Sequence, residues 1–297
     1  MIDKKIFGEI IKKNILKKYP EESFGYKTFH SKKEKVYPDY FSNDRFKKFS
    51  DEMKEKYEKF FDFFYMGKGS ELKVKCVGEK TFPPKMASVA SSSRFCYLAL
   101  RNGGKALGAL TSETVFEKGL PIKGVRGTAP QMDAWFEDEC IFVEAKCQEI
   151  FDDHPIKFKK AYAELIYGQD NKFGFAKKDI IETEFTIDES AFGIEGNSMF
   201  DIKQLFCHLL GIESYMKENG KKQATLVYMF FKPECKDEKE QMLIEDVFKK
   251  LQEEISEIFK SAPVKKFCAA NNICLRAVAE CSETMELLSE DNIRNLI

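Results

Sequence analysis

The 297-residue sequence lacks any run of about 18 apolar residues, the length that a transmembrane helix requires. Residues 1–5 also lack the apolar segment of a signal peptide. The nine cysteines are odd in number and include no Cys-x-x-Cys pair, which argues against both a disulfide framework and a zinc ribbon. We therefore expect a cytoplasmic protein with reduced cysteines and no membrane association.

The sequence also lacks a strong net charge that would point to a partner, since its formal charge is −1. The charge is nevertheless unevenly distributed. Residues 1–90 carry 21 Lys and Arg against 14 Asp and Glu, so that the rest of the chain is acidic. A basic region beside an acidic one suits a protein that holds a polyanion next to carboxylates and a metal. Solvated, lysine-rich helix faces would explain the same excess.

The apolar content of 43%, with 28 Phe, is ample for a sizeable core. Apolar spacing and capping residues predict helices at 2–18, 44–64, 85–101, 156–168, 201–215 and 237–260, with a polar connector at 19–42. Strands are predicted at 114–117, 132–136, 140–146, 180–187, 226–231 and 273–279. This order predicts an α/β fold in which helices flank a mixed central β-sheet, with an N-terminal helical region packed on the core.

The segment 131–149 predicts two strands joined by an acidic turn. The second strand is apolar almost throughout, yet it ends in Glu144-Ala145-Lys146. A carboxylate and an ammonium are costly to bury there unless they pair with each other, a metal or a ligand. Glu144 and Lys146 share one face of the strand because side chains alternate, and Asp133 meets them if the hairpin register is favourable. An ordinary hairpin with a surface ion pair is the alternative.

An Asp on one strand and Glu-x-Lys on the next resemble the signature of the PD-(D/E)XK nuclease superfamily, the fold of many restriction endonucleases. The resemblance implies that Asp133, Glu144 and the carbonyl of Ala145 hold one or two Mg²⁺ ions, with Mn²⁺ as a substitute. Oxygen ligands suit such hard cations. Lys146 would then orient the water that the metal activates. One departure is Met132, which precedes the Asp where the signature has its variable Pro.

A longer stretch, from about 65 to 210, looks like one bacterial group of this superfamily whose members are described as candidate restriction endonucleases. The likeness consists of Gly-x-Gly-x-Glu-Leu at 67–72, then Pro-Lys, a serine-rich helix, and the Asp and Glu-x-Lys strands. It implies that Glu71 completes the metal shell and that Ser93 and Arg94 face the scissile phosphate. A helix-start carboxylate is the alternative for Glu71, and packing or a surface pair for the other two.

Two further pairs of residues lie near the predicted site. Lys123 and Arg126 belong to a basic, glycine-punctuated loop that either touches a DNA backbone or is a plain connection. Gln204 and His208 share a helix face and resemble a Gln-x-x-x-Tyr motif that some superfamily members carry near the active site, with His in place of Tyr. The resemblance adds Gln204 to the catalytic group and gives His208 a DNA contact. A structural helix pair is the alternative.

The sequence therefore predicts a Mg²⁺-dependent deoxyribonuclease, in particular a restriction-type endonuclease with DNA as its partner. Residues 67–297 would form the restriction-endonuclease-like domain, and residues 1–66 the N-terminal helical region. A restriction role implies a modification-enzyme partner, and a homodimer that cuts both strands stays open. One alternative is a catalytically silent protein of the same fold that binds nucleic acid or a protein. Another is an interaction protein in which the triad is chance.

Overall fold

The computed structural model describes residues 2–20, 23–30, 33–66, 71–78, 80–125, 129–168, 171–194, 198–285, 288 and 292–297. These residues form eight α-helices and twelve β-strands. The helices are α1 (Lys4–Lys18), α2 (Asn43–Lys56), α3 (Glu58–Met66), α4 (Ser92–Leu100), α5 (Ala163–Tyr167), α6 (Ile202–Glu218), α7 (Glu238–Lys260) and α8 (Ala262–Asn271). The strands are β1 (Phe24–His30), β2 (Lys33–Phe41), β3 (Lys75–Val77), β4 (Lys80–Phe82), β5 (Val115–Gly119), β6 (Gln131–Phe136), β7 (Ile141–Lys146), β8 (Lys157–Lys159), β9 (Glu184–Thr186), β10 (Ala224–Pro233), β11 (Ile273–Ser282) and β12 (Ile293–Asn295).

The central sheet has six strands in the order β12-β11-β10-β7-β6-β5. Strands β5, β6 and β7 form an antiparallel meander, β7, β10 and β11 run parallel, and β12 returns antiparallel. A parallel neighbour needs a crossover connection, and the connection between β7 and β10 contains α6. The predicted α/β fold with a mixed central sheet is therefore confirmed.

Strand β10 shows why the middle of the sheet was predictable. Residues 226–231 are all buried, and a strand that is covered on both faces is apolar at nearly every position. Helix α7 packs against this strand and buries an apolar stripe with a helical period. The stripe consists of Ile244, Val247, Phe248, Leu251, Ile255 and Ile258.

The first 66 residues are less helical than predicted. The expected polar connector instead contains the β1–β2 hairpin, in which Tyr26 and Thr28 are buried while Lys27 and Phe29 are exposed. Only one side of the hairpin is covered, so its strands lack the apolar runs that would have predicted them. The predicted helix at 44–64 is also interrupted, because Tyr57 separates α2 from α3.

An aromatic cluster packs the N-terminal region against the sheet. The rings of Phe60 and Phe64 on α3 each lie 5.1 Å from the ring of Phe116 on β5. Tyr97 on α4 lies 6.0 Å from both Phe64 and Phe116. One continuous core thus contains residues from both sides of the predicted boundary. The boundary itself, at 66 and 67, adjoins residues 67–70, which lie outside the described ranges, and it stays a prediction.

Two predicted helices are shorter in the structure. The helix expected at 85–101 begins only at Ser92, because the Ser91 hydroxyl caps it by accepting from the backbone N–H of Arg94 at 3.2 Å. The lysine-rich stretch expected at 156–168 forms β8, which pairs with β9, and the five-residue α5. None of the helices in the described parts of the chain combines the length and the apolar character needed to cross a membrane.

Candidate functional site

Three carboxylates lie in a row across the neighbouring strands β5, β6 and β7. The β5–β6 pairs on either side of Glu117 place it opposite Asp133. Extending the β6–β7 register by one residue places Asp133 opposite Glu144. Residues that oppose each other project from the same face of a sheet. The hairpin register is therefore the favourable one, and it brings Asp133 to Glu144.

Lys146, Glu144 and Gln204 form a closed hydrogen-bonded group. Lys146 Nζ donates to Glu144 Oε1 at 2.7 Å and to Gln204 Oε1 at 2.6 Å. Gln204 Nε2 donates to the same Glu144 oxygen at 2.7 Å. Gln204 lies in the first turn of α6, whose N-cap Asp201 accepts from the Gln204 backbone N–H at 2.8 Å. The structure thus brings Gln204 together with the predicted catalytic residues.

Asp133 is held by the backbone of β7. Its Oδ2 accepts from the N–H of Ala145 at 2.7 Å. Burial raises the pKa of Asp133 well above its usual value, and the charges of Glu144 and Glu117 raise it further, against the opposing effects of Lys146 and the Ala145 amide. The folded protein thus disfavours a negative charge on Asp133 until a cation approaches it.

Lys146 keeps its proton at neutral pH. Burial lowers its pKa, but the charges of Glu144, Glu149 and Asp133 outweigh burial and raise the pKa above the ordinary lysine value. The side chain is 14% exposed, so the ammonium is largely shielded from solvent. A charged ammonium donates hydrogen bonds and stabilises negative charge, but it accepts no proton.

Glu71 contributes a further buried carboxylate. It is 2% exposed and lies in a bend between α3 and β3, so the alternative of a helix-start carboxylate is wrong. Its Oε1 accepts from Lys85 Nζ at 2.8 Å, whereas Oε2 has no hydrogen-bond partner among the described residues. Burial lowers the pKa of Lys85, but Glu71, Glu117 and Asp133 raise it overall. Lys85 thus lies within electrostatic reach of the carboxylate row.

One cleft with a volume of 560 Å³ is lined by Glu71, Lys85, Asp133, Glu144 and Gln204, whereas Lys146 does not line it. Lys85 and the hydroxyl-rich segment 91–93 line it together with five carboxylates. The carboxylates are Glu71, Glu117, Asp133, Glu144 and Glu149. An excess of negative charge in a cleft repels an anionic substrate and attracts cations.

Glu117 lines the cleft, as do Lys85 and Glu149, and none of the three was selected from the sequence. Glu117 falls within the predicted strand 114–117, but only the pairing of that strand with β6 places it opposite Asp133. Its backbone has a φ of 55°, which is uncommon for a residue other than glycine. Burial, followed by the charge of Glu71, raises the pKa of Glu117 to about 7, although Lys85 opposes the shift. An acidic residue at the end of an apolar strand was the available signal.

Ser93 and Arg94, which were predicted to face the scissile phosphate, are separated by the structure. Ser93 is 8% exposed and lines the cleft. Arg94 is 3% exposed, and its guanidinium carbon lies 4.1 Å from the centre of the Phe41 ring and 5.0 Å from that of Phe49. A planar guanidinium over aromatic rings is a packing arrangement, and Arg94 does not line the cleft.

His208 lies beneath the site and not on a DNA-facing surface. It is 1% exposed, and its Nδ1 lies 3.1 Å from the Tyr228 hydroxyl. Its Nε2 lies 3.6 Å from Glu144 Oε2. Burial lowers the pKa of His208, although Glu144 opposes this shift. A buried imidazole has no access to DNA, so the predicted DNA contact of His208 is wrong. The ring instead packs beside the Glu144 carboxylate inside the protein.

The basic loop is only partly described. Lys123 is exposed and borders a second cavity, of 620 Å³, together with Ile122, Glu213 and Lys217. This cavity shares no lining residue with the acidic cleft. Arg126 lies outside the described residues. A DNA contact by either side chain stays a prediction.

Comparison of the chain with protein-family models, curated proteins and solved structures gives no match. Across the described residues, no group of three or more His, Cys, Asp or Glu side chains converges as a ready-made metal cage. The features that bear on function are therefore the chemistry of the cleft and the opposition of Asp133 and Glu144.

Glu117→Gln is expected to flatten the pH dependence of stability in metal-free protein. The folded pKa of about 7 exceeds the ordinary value of 4.5, so the stabilisation is fully present below pH 4.5 and is lost as the pH rises through 7. The wild type should lose roughly 1–3 kcal/mol between pH 5 and 8 from this group. Urea unfolding in EDTA measures it, with the exposed turn variant Glu137→Gln as control. Equal pH profiles for wild type and Glu117→Gln would contradict this expectation.

Proposed function

We propose that the chain is a metal-dependent nuclease that hydrolyses DNA phosphodiester bonds, of the restriction-endonuclease type. The observation that carries the proposal is the opposition of Asp133 and Glu144 on neighbouring strands, with Lys146 two residues further on. Gln204 binds both Glu144 and Lys146 from the helix that follows. This matches the Asp, Glu-x-Lys and helix Gln of the PD-(D/E)XK resemblance, and the mixed sheet flanked by helices supports the corresponding fold.

The donor set of the cleft fits a hard divalent cation. It consists of carboxylate oxygens, which Mg²⁺ and Mn²⁺ prefer, and Glu71 supplies a buried oxygen with no hydrogen-bond partner in the described structure. Mg²⁺ commonly uses only one or two protein carboxylates and fills its remaining positions with water and substrate phosphate. Asp133, Glu144, the carbonyl of Ala145 and, from the cleft wall, Glu71 are the proposed ligands.

When bound, the cation would neutralise charge on the phosphodiester and lower the pKa of a bound water towards neutrality. Within the protein, Lys146 stays protonated and donates a hydrogen bond towards the reacting oxygens. Glu144 and Gln204 fix its ammonium in one place, which avoids the entropic cost of ordering a long side chain during the reaction. Hydrolysis by in-line attack of water on the phosphorus would leave a 5′-phosphate and a 3′-hydroxyl.

The electrostatics of the cleft support the requirement for a cation. Five carboxylates face Lys85 in the cleft lining, and Lys146 is already paired with Glu144. A phosphodiester entering alone would meet net negative charge, whereas cations entering with it would satisfy both the substrate and Asp133. The carboxylates that would favour catalysis with metal thus also disfavour entry of the phosphodiester into the metal-free cleft.

Purified protein is expected to nick supercoiled plasmid in Mg²⁺ or Mn²⁺ and to lose this activity in EDTA. Sequencing of the fragment ends separates restriction-type cutting, at fixed positions, from non-specific cutting. Modified plasmid that resists cleavage would support a modification-enzyme partner, and sedimentation of the DNA complex would test the homodimer. Wild-type protein that binds DNA with Mg²⁺ but never cleaves it would favour the catalytically silent alternative. Labelled RNA in the same assay tests the choice of DNA.

A further inference from the structure

A small ribbon next to the cleft presents an exposed face that mixes lysines with apolar side chains. Strands β3 and β4 pair antiparallel, with Lys75 opposite Phe82 and Val77 opposite Lys80. Opposed residues, and residues two apart, share a face, so these four side chains form one surface, here called the ribbon face. All four are exposed. The strands meet at a two-residue turn in which Gly78 has a φ of 57°, as tight hairpins require.

The other side of the ribbon is supported by the β1–β2 hairpin. Thr81 is 8% exposed, and its carbonyl accepts hydrogen bonds from the Thr28 hydroxyl at 3.4 Å and from the Tyr37 hydroxyl. The ribbon face is therefore turned away from the protein. Neither Lys75 nor Lys80 has a carboxylate partner within the described residues.

The apolar members of the ribbon face are unusually accessible. Val77 is 54% exposed and Phe82 is 38% exposed. The adjoining segment adds Lys73, also exposed, and Val74, which is 45% exposed. The sequence of the turn contains one acid, Glu79, which lies outside the described residues. An exposed surface that combines unpaired cations with apolar groups fits a polyanion that also offers apolar contacts.

The ribbon is anchored at the cleft by both ends. The ribbon is formed by the segment of the chain between Glu71 and Lys85. Both of these residues line the cleft, and they form an ion pair at 2.8 Å. Phe82 precedes Lys85 by three residues, which span at most about 11 Å. One turn of B-DNA is about 34 Å long. A duplex that contacts the ribbon face can therefore present a phosphate to the cleft within the same helical turn.

We propose that the ribbon face enters the major groove of duplex DNA and contacts base edges there. This inference deepens the proposed nuclease function and rests on it for the place of cleavage. The groove is about 12 Å wide and admits a two-stranded ribbon, whose strands lie about 4.8 Å apart. Lys75 and Lys80 would donate to guanine O6 and N7, and Val77 and Phe82 would contact thymine methyl groups.

Two other occupants fit the ribbon face less well. In a symmetric dimer the same surface meets itself, which would bring the lysines of two copies together without a counter-charge. The phosphates of a single strand would pair with the lysines. A single strand has no major groove, however, so neither the width of the ribbon nor the apolar side chains Val77 and Phe82 would be matched. Both occupants are outcomes of the test below.

The test is fluorescence anisotropy of full-length protein with labelled duplex DNA in Ca²⁺, which takes oxygen ligands as Mg²⁺ does and so offsets the cleft carboxylates, with gel electrophoresis to verify that the duplex stays uncut. Lys75→Ala/Lys80→Ala is expected to weaken duplex binding by about tenfold or more, because two base or phosphate contacts are lost. The matched double variant Lys249→Ala/Lys250→Ala, on the exposed side of α7, should change it less than about twofold. Methyl green, which occupies the major groove, should compete with the wild type, and netropsin, which occupies the minor groove, should not.

Selection of bound sequences from a randomised duplex pool completes the test. The wild type should enrich a motif, and Lys75→Ala/Lys80→Ala should lose it. Equal binding and enrichment by this variant, stronger binding to single strands, or a change from dimer to monomer on substitution would each overturn the ribbon inference. Loss of binding in a protein that never cleaves would instead sustain the inference and defeat the nuclease proposal. Intact cleavage by Lys75→Ala/Lys80→Ala would sustain the nuclease proposal and overturn the ribbon inference.

Discussion

Asp133→Asn should abolish plasmid cleavage and, in metal-free protein, increase the free energy of unfolding. Cleavage should fall by roughly 10³-fold or more, because a neutral amide is a poor ligand for the cation that supplies several kcal/mol of transition-state stabilisation. Stability should rise because burial, Glu144 and Glu117 already raise the pKa of Asp133. Asparagine imitates the protonated side chain, and its carbonyl oxygen can still accept from Ala145 N.

The gain in stability has a defined pH dependence. A raised folded-state pKa means that wild-type stability is fully present below pH 3.8 and is lost as the pH rises through the folded value. Asp133→Asn lacks that loss, so its advantage, about 0.5–2 kcal/mol, should appear at neutral pH and vanish in acid. Urea unfolding in EDTA and plasmid nicking in Mg²⁺ measure the two effects. Asp138→Asn, on the exposed turn after β6, is the control. A variant that is both inactive and less stable at neutral pH would contradict this account.

The β6–β7 hairpin was predictable because its residues obey two strong rules at once. An apolar strand is buried, and charged residues at its end need partners. Asp133, Glu144 and Lys146 could therefore be selected from the sequence alone. Their register could not, since a shift of one residue would have turned Asp133 to the other face. For the same reason, Glu117 was not selected. Its place beside Asp133 comes from the pairing of β5 with β6 and not from any local motif.

The β1–β2 hairpin and the β3–β4 ribbon were not predicted, because the contacts that stabilise them are not local. Strand β3 reads Lys75-Cys76-Val77, and all three residues are exposed. Neither an alternating nor a continuous apolar pattern marks it, and the ribbon is held through backbone contacts such as those at Thr81. Arg94 shows the converse. A cation beside a serine-rich segment resembled a phosphate contact, but the rings of Phe41 and Phe49 come from distant positions in the chain and enclose it.

Lys146→Met should also abolish cleavage, but it should destabilise the protein. Glu144 is 4% exposed and receives hydrogen bonds from Lys146 and Gln204. Methionine fills a similar volume but leaves the buried carboxylate without its cation, and removing one partner of a buried pair costs about 3–5 kcal/mol. Urea unfolding in EDTA measures the loss, with Lys159→Met, at an exposed position of β8, as control.

The double variant Lys146→Met/Glu144→Gln tests the role of the lysine as counter-ion to Glu144. Glutamine removes the unpaired charge and keeps a side-chain oxygen for the Gln204 amide, so most of the stability should return, while cleavage stays absent because a proposed metal ligand is also lost. A double variant that is as unstable as Lys146→Met would contradict the counter-ion role. The opposite stability effects of Asp133→Asn and Lys146→Met would follow from one cause. In the metal-free site the carboxylates carry more charge than Lys85 and Lys146 neutralise, so removing an acid stabilises the fold and removing Lys146 destabilises it.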